Sequence, residues 1–589
     1  MDRTMDPANA TMKEVLDFLR NERGDELQRL MRDEYVLWIG SGISRARFPN
    51  LQDLLYNLLV RLFERRNPSN PTSCPYSATL ARIRQLTTLN EIDMTVHPND
   101  WPGRHRVDFL RQLVDKYADV LDETVRVPGS PLSVCWDILE LDRIYSDPSV
   151  EPDAEHRLLA LLIEEGAITE LVTTNWDALI EKAHLACRSG RAATLKAVAC
   201  SGELDGCTGG SCVHLLKIHG CAYKCSQDSD CYRPFIVATR SHITAWTTDQ
   251  KFACWREVLR TLLRQRPALF VGISGQDWNL QVQCLGASLN RESWPIAPPR
   301  VCFAEPAVGL HQRAVLKLFY GEELYQQNGD AIDAQAALRF YAKPLLGSIY
   351  ILTLLEKAKL LLHKAEEELS SEQLRLVKDW LNWCEQALCD KYDVISDPDQ
   401  RWRLFADEVP YQVARFTSLY REQKVPAARQ AYQPLWQGNL AQMTDNPNIA
   451  GLWYHWLLYA LALFHKGSEQ GNWVLKWAAG HRGEFGQFTL DVGGAGIRLF
   501  VLNQSQVGLD RLEHEGFMSP SNPSRVVILY PHGPEPKRHA RSPARSSLPG
   551  RSHHPLYHEI WLEDLISDAA TLHDSLALLE NELKATALP

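Results

Sequence analysis

The chain has 589 residues, of which 45% are hydrophobic and 23% charged. This is the composition of a globular protein and excludes a low-complexity chain, and the length predicts two to four domains. The formal net charge is −10, from 63 Lys and Arg against 73 Asp and Glu. This negative net charge excludes a protein that binds nucleic acid non-specifically through an overall positive charge.

The first twenty residues contain acids, Asn and Lys where a signal peptide has an apolar core. The most apolar stretch, Leu452 to Phe464, is too short to span a bilayer and contains His455, so it predicts a buried helix. We therefore expect a cytoplasmic protein with no membrane contact, whose 14 cysteines are reduced.

The N-terminal half repeats one pattern, a short apolar run followed by a polar or glycine-containing turn and then a helix. A helical segment over 12–31, broken near Gly24, precedes the first run. The runs are Tyr35 to Ile39, Leu171 to Thr174, Val213 to Ile218 and Ala268 to Val271. Short buried strands that alternate with helices predict a parallel α/β sheet. Ligands of such sheets bind beyond the carboxyl ends of the strands, so we expect one cleft there.

After about residue 345 the pattern changes to long apolar or amphipathic segments, at 351–369, 374–388, 402–420 and 452–464. From about 485, strand-like runs return at 497–502 and 526–530, followed by a helix over 562–583. We therefore predict three parts. They are a parallel, Rossmann-like α/β domain over 1–350, a helical domain over 351–484, and a smaller mixed α/β region over 485–589 with a Pro/Arg-rich loop.

The polar turns hold the candidate functional residues, and each also has a purely structural interpretation. The Gly40-Ser41-Gly42-Ile43-Ser44 turn lets backbone approach a phosphate, but one GxG is also typical of a tight turn. Asn175 and Asp177 are helix-capping residue types. His219, at the end of a strand, fits either a general base or a core histidine.

Four motifs in this order resemble the sirtuin family. They are Gly40-Ser41-Gly42-Ile43-Ser44, Thr174-Asn175-Trp176-Asp177, His219-Gly220 and Gly272-Ile273-Ser274. The resemblance is closer to the sirtuin-like NADase domains of prokaryotic antiphage defence proteins. It is carried by Phe48-Pro49-Asn50-Leu51-Gln52-Asp53-Leu54, Lys217-Ile218-His219-Gly220 and Gly272-Ile273-Ser274-Gly275-Gln276-Asp277.

This resemblance implies an NAD+ glycohydrolase that cleaves its substrate NAD+ to nicotinamide and ADP-ribose. It places the catalytic roles on Asn175, which holds the nicotinamide ribose and a water, on Asp177 near the carboxamide, and on His219 as general base. It places NAD+ binding on the first glycine turn and on the two later turns, at Gly40, Ser41, Gly42, Ser44, Thr174, Gly272, Ser274 and Asp277. Ser274 and Asp277 are expected at the adenosine half.

Two departures separate the chain from sirtuins that deacylate proteins. Asn50-Leu51 stands where a Phe-Arg pair is expected, and the paired CxxC zinc ribbon is absent. Six cysteines lie instead between Cys200 and Cys231, at spacings that fit no zinc pattern cleanly. We expect no metal, with zinc on these cysteines as the alternative. An NAD-dependent protein deacylase and a non-enzymatic NAD or ADP-ribose sensor stay open as alternative functions.

The resemblance also implies a regulated effector of antiphage defence that acts in abortive infection by NAD+ depletion. Its expected partners are further copies of this chain, a companion defence protein such as an ATPase or Argonaute, and a phage-derived trigger. Nucleic acid is expected only indirectly, or through the basic Pro/Ser-rich loop at 531–555.

Overall fold

The structure is a computed structural model, and it describes most of the chain. The described residues are 7, 9–70, 73–89, 92–188, 194–204, 212–287, 300–363, 371–421, 431–445, 451–477, 488–502, 506–514, 516–518, 525–530, 557–567 and 571–587. The predicted basic loop at 531–555 lies outside these residues, as does Cys207.

Helices make up most of the described structure. Those of the first half are α1 Met12–Glu22, α2 Gly24–Met31, α3 Leu51–Glu64, α4 Pro75–Gln85, α5 Gly103–Asp115, α6 Tyr117–Leu121, α7 Leu141–Tyr145, α8 Ala154–Glu164, α9 Leu179–Arg188, α10 Ser201–Leu204, α11 Ala222–Gln227, α12 Ser229–Tyr232, α13 Arg240–Thr248, α14 Ala253–Gln265 and α15 Trp278–Ala287. Those of the second half are α16 Leu310–Tyr320, α17 Glu322–Ala336, α18 Ala342–His363, α19 Ser371–Tyr392, α20 Pro398–Tyr420, α21 Leu440–Asp445, α22 Gly451–Glu469, α23 Gln506–His514, α24 Leu562–Ser567 and α25 Leu572–Ala587.

The strands form two sheets and a small ribbon. They are β1 Val36–Ile39, β2 Thr124–Val125, β3 Leu132–Ser133, β4 Glu170–Thr173, β5 Leu195–Val198, β6 Val213–Lys217, β7 Ala268–Val271, β8 Val301–Phe303, β9 Val474–Trp477, β10 Phe488–Val492, β11 Ala495–Val501, β12 Val526–Tyr530 and β13 His558–Trp561. The ribbon is the antiparallel pair β2 and β3.

The first sheet is six-stranded and parallel, in the order β5-β6-β4-β1-β7-β8. The central strand β1 pairs with β4 on one side and with β7 on the other. From β1 the chain passes to β4 and then to β5 at the edge of the sheet, and β6 fills the position between these two strands. The chain then crosses to the other side of β1, where it forms β7 and β8. The strand order therefore reverses beside β1, which is where open α/β sheets bind their ligands.

Both faces of this sheet are buried. Successive residues of β1 point to opposite sides, and all four of them are buried. Val36 and Trp38 join the core under α13–α17, and Leu37 and Ile39 join the core formed with α1, α2, α8 and α9. That second core continues without a break into α18 and α20. The helical region is therefore packed directly on the sheet.

The segment between β1 and α8 is a helical insertion with its own core. Helices α3–α7 bury a cluster of leucines and aromatics that includes Phe109, and Cys225 and Ile236 from the segment after β6 join it. The insertion is thereby tied to the chain that follows the carboxyl end of β6, beside the expected cleft.

The second sheet has five strands in the order β13-β12-β11-β10-β9. Strands β9, β10 and β11 are antiparallel neighbours, whereas β11, β12 and β13 run parallel. Helices α19, α22 and α25 cover one face in a core with α18, and Leu512 and Phe517 pack on the other face.

Most of the predicted strands and helices are confirmed, and with them the α/β class. The first helical segment is α1 and α2, broken near Gly24 as predicted. The short edge strands β5 and β8 were not predicted, and β9 begins before the boundary placed at 485. The boundary placed at 350 falls inside α18. Within the described residues, the structure contains no helix with the length and hydropathy needed to span a membrane.

Candidate functional site

Four loops meet at the carboxyl ends of β1, β4, β6 and β7. The loop after β1 is held by two backbone bonds, from Gly40 N to Val271 O at 2.9 Å and from Gly42 N to Gly272 O at 3.0 Å. The loop after β4 is held by Thr174 N, which donates to Ile39 O at 3.2 Å. The sheet therefore gathers the four predicted motifs on one edge.

The glycines of the first loop are required by its contact with the loop after β7. A Cβ atom added at Gly40 would lie 2.3 Å from Gly272 O, and one added at Gly42 would lie 2.7 Å from Gly272 Cα. Gly272 itself has a φ of +67°, a conformation that side chains disfavour. Close packing of two backbones therefore explains these three glycines before any ligand is considered.

Asn175 presents an unpaired acceptor at the end of β4. Its backbone N donates to Thr173 Oγ1 at 3.0 Å, and its Nδ2 donates to Ser44 Oγ at 3.3 Å. The residue is 6% exposed. Its Oδ1 is buried and has no hydrogen-bond partner within the part of the chain that the structure describes. A buried carbonyl oxygen without a donor is costly, so this atom fits a ligand group that donates.

Ser44 lies between Asn175 and a histidine that the motifs did not indicate, His156 of α8. Ser44 Oγ is 3.1 Å from His156 Nε2, and His156 Nδ1 accepts the Asp153 backbone N–H at 3.1 Å. Since Nδ1 accepts, the neutral ring carries its proton on Nε2 and donates to Ser44. Ser44 Oγ thus accepts two hydrogen bonds, and among the described residues its own proton has no acceptor, so it can be donated to a ligand.

His156 is uncharged at neutral pH. Burial lowers its pKa to about 4, against the opposing charges of Asp177 and Asp153. The ring is fully buried at the first turn of α8, where it closes a capping box with Asp153. In the sequence, Asp153 before an apolar helical run predicts the start of a helix, but it does not predict that His156 lies beside Ser44.

His219 follows β6 and faces the loop after β7. Its Nε2 lies 3.4 Å from Asp277 Oδ2 and 3.5 Å from Asn279 Nδ2. Burial lowers the pKa of this histidine, and the Asp277 carboxylate partly opposes the shift. The lowered pKa leaves the ring neutral at physiological pH, so it can act as a base.

Asp177 is held by a buried cation. Lys217, the last residue of β6, is 1% exposed, and its Nζ donates to the Asp177 backbone carbonyl and lies 3.1 Å from Glu181 Oε1. Asp177 Oδ1 accepts the Leu179 backbone N–H at 3.1 Å, as a helix-capping carboxylate does. The structure thus shows the capping role, and it adds Lys217 as the support of this loop.

The two predicted adenosine contacts lie at different depths. Ser274 is exposed at the tip of the loop after β7. Asp277 is partly buried, caps α15 through the Leu280 backbone N–H at 2.9 Å, and contacts His219. The structure therefore places Asp277 beside the predicted base, a position that sequence spacing does not reveal.

Aromatic residues from three elements line the side of the site that faces the helical insertion. The Phe48 ring lies 4.9 Å from that of Tyr145, and Tyr145 lies 5.3 Å from Trp176. Trp176 Nε1 is buried and lacks a hydrogen-bond partner among the described residues. This cluster joins the first loop, α7 and the Asn175 loop into one wall.

The cysteine segment forms no metal centre in the described part of the chain, where no group of three or more His, Cys, Asp or Glu side chains could hold a metal ion. Cys200, Cys221 and Cys225 are buried free thiols, and Cys212 and Cys231 are exposed. The zinc alternative therefore has no support from the described residues.

Residues 169–317 match the family model of the SIR2-like domain. The chain thus contains a sirtuin-like domain, a type of domain that typically uses NAD. The matched residues include Asn175, His219 and Asp277, and they begin at β4 rather than at the N-terminus, where the motifs placed the start of the domain. No curated protein matches the chain.

Proposed function

We propose that the chain is an NAD+ glycohydrolase whose site is the edge of the six-stranded sheet beyond β1, β4, β6 and β7. The observation that carries the proposal is the buried Asn175 Oδ1, which has no hydrogen-bond partner among the described residues and belongs to a side chain in contact with Ser44 Oγ. A ribose presents hydroxyl donors and a diphosphate presents acceptors, so this acceptor and donor fit the two parts of one dinucleotide.

The reaction breaks the bond between nicotinamide and the ribose anomeric carbon and adds water to that carbon. The products are nicotinamide, ADP-ribose and a proton. His219 is a neutral base that accepts the proton of the attacking water or of a ribose hydroxyl. Asn175 orients the ribose or the water, and Lys217 keeps the Asp177 loop in place. The cleavage needs positioning and charge stabilisation more than covalent help, because nicotinamide leaves readily.

Gly40, Ser41, Gly42 and Ser44 are proposed to contact the diphosphate, and Thr174, Gly272, Ser274 and Asp277 to complete the NAD+ site. Ser41 and Gly42 are exposed at the loop surface, and Ser44 is buried below them.

The proposed role in antiphage defence, with a companion protein, a trigger and self-association, comes from the resemblance of the motifs alone. The three-part division of the chain at 350 and 484 is likewise a proposal.

Nicotinamide release from NAD+ by the purified chain tests the activity. The variants His219→Ala and Asn175→Ala are compared with His214→Ala, which changes a histidine on the same strand, β6, away from its carboxyl end. We expect release by the wild type and the control, and a loss of at least about 100-fold in both site variants.

NAD+ binding, measured on the same proteins by calorimetry, separates the alternatives. Tight binding without release would support the sensor, and release that requires an acylated peptide would support the deacylase. Unchanged release in His219→Ala would contradict the assigned base.

A further inference from the structure

One buried carboxylate joins the glycine loop after β1 to the helical region. Asp153 Oδ1 pairs with the Arg47 guanidinium at 2.9 Å, and Asp153 Oδ2 lies 3.6 Å from Lys343 Nζ. The Asp153 side chain is 4% exposed. Arg47 follows Ser44 by three residues, whereas Lys343 lies in the first turn of α18. Two cations distant in sequence thus share one anion.

Asp153 also begins a chain of hydrogen bonds that ends at the proposed NAD+ site. Its backbone N–H donates to His156, His156 donates to Ser44, and Ser44 accepts from Asn175. Every side chain in this series is buried. A displacement of the start of α8 therefore moves the donor and the acceptor that would contact the substrate.

Lys343 is fixed in its position by three carboxylates. It lies 2.5 Å from Asp399 Oδ1 of α20 and 3.7 Å from Glu155 Oε1, besides its contact with Asp153. Burial opposes the charge of Lys343, but Glu155, Asp399 and Asp153 together raise its pKa, so the ammonium stays charged. Its loss would leave Asp153 and Glu155, both buried, with one positive neighbour fewer.

We infer that Lys343 of the helical region is a positioning residue for NAD+ cleavage, which acts on Ser44 and Asn175 through Asp153 and His156. The inference rests on the proposed function. The helical region would thus influence the geometry of the site without contacting the substrate. A change in how α18 and α20 sit on the sheet would then alter activity, so this contact is a route by which a partner can control the reaction.

The test compares Lys343→Met with Lys359→Met in the full chain. Lys359 lies on the same helix, and its ion pair within the described part of the chain is with Glu356 of that helix at 2.7 Å, so it is a matched control. We expect Lys343→Met to lower kcat for nicotinamide release about 10-fold with a smaller effect on KM, since misplaced groups cost rate. Lys343→Arg, which keeps the charge, should restore most of the rate and protects the test if the methionine variant folds poorly.

A double-mutant cycle with Ser44→Ala tests the route. If Lys343 acts through Ser44, Lys343→Met has little further effect on kcat in the Ser44→Ala background. Independent, multiplicative effects of the two substitutions would overturn the route.

Hydrogen exchange measured without NAD+ tests the inference even if the proposed function fails. The segment 40–48 should exchange faster in Lys343→Met than in the wild type and in Lys359→Met. Equal exchange in both variants overturns the inference, as does faster exchange with unchanged kcat. A wild type that neither binds nor cleaves NAD+ contradicts the proposed function alone, and the exchange result then decides whether Lys343 holds the loop.

Discussion

Two opposing effects set the protonation of His219. Burial disfavours the charged ring and lowers its pKa, while Asp277 at 3.4 Å favours the charged ring. Burial is the larger effect, so the neutral form is present at pH 7 and below the usual pKa of a histidine.

Removal of the Asp277 charge should therefore shift the acid limb of the pH–rate profile to lower pH. A general base is active when unprotonated, so kcat/KM falls as the pH drops through its pKa. In the wild type we expect this fall below pH 6.5, and in Asp277→Asn at still lower pH, because the charge that raises the His219 pKa is gone. The measurement is kcat/KM for NAD+ between pH 4.5 and 8.

Gln276→Ala, an exposed neighbour in the same loop, is the control whose acid limb should stay in place. An acid limb that does not move in Asp277→Asn would show that another group titrates there.

At the scale of elements, the site depends on two loops that touch through backbone. Gly40 and Gly42 approach Gly272 too closely for any side chain, so the loops after β1 and β7 fix each other. A glycine-rich turn therefore has a packing role here that is separate from phosphate binding. The two roles predict different consequences of a single methyl group.

The substitution Gly42→Ala should destabilise the fold by about 1–3 kcal/mol, because the new methyl group must displace backbone rather than a flexible side chain. The midpoint of thermal unfolding measures this loss. Gly103→Ala is the control, since a Cβ atom at Gly103, in the first turn of α5, meets nothing within 4 Å. An unchanged midpoint together with weaker NAD+ binding would assign Gly42 to the ligand alone.

The sequence predicted the elements that carry strong local patterns. The strand at 268–271 was found at its full length, because four buried apolar residues precede a glycine. Strand β5 contains Lys196 and is buried only at its two ends, and β8 has three residues, so neither shows such a pattern and their pairing is decided by the sheet. Of the site, the motif residues were predicted, but not their contacts. His156 looks like an ordinary helix residue until the fold places it beside Ser44, and Lys217 belongs to a quoted motif whose contact with the Asp177 loop only the fold reveals.

At the scale of the whole molecule, a buried ion pair connects the sheet to the helical region. Glu165, which caps the end of α8, pairs with Lys357 of α18 at 2.5 Å, and both side chains are 0% exposed. Lys357 Nζ also donates to Glu165 O and Trp436 O, and Tyr432 OH donates to Glu165 Oε1. Burial lowers the pKa of Lys357, and Glu165 opposes that shift. The junction is therefore polar but satisfied.

Removal of one partner of this ion pair should lower the free energy of unfolding more than removal of both charges. Lys357→Met leaves the Glu165 carboxylate buried without its cation, for which we expect a loss of about 3–5 kcal/mol in the free energy of unfolding. Glu165→Gln combined with Lys357→Met removes the unpaired charge and still accepts the Tyr432 hydroxyl, so part of the loss should return. Urea unfolding followed by tryptophan fluorescence measures both.

Lys359→Met, on the exposed face of the same helix, is the control and should change stability by less than about 0.5 kcal/mol. If the double variant were as unstable as Lys357→Met, the hydrogen bonds of Lys357 to the two carbonyls, and not the charge of Glu165, would hold the helical region on the sheet. The two results thus distinguish an electrostatic junction from one built on backbone capping.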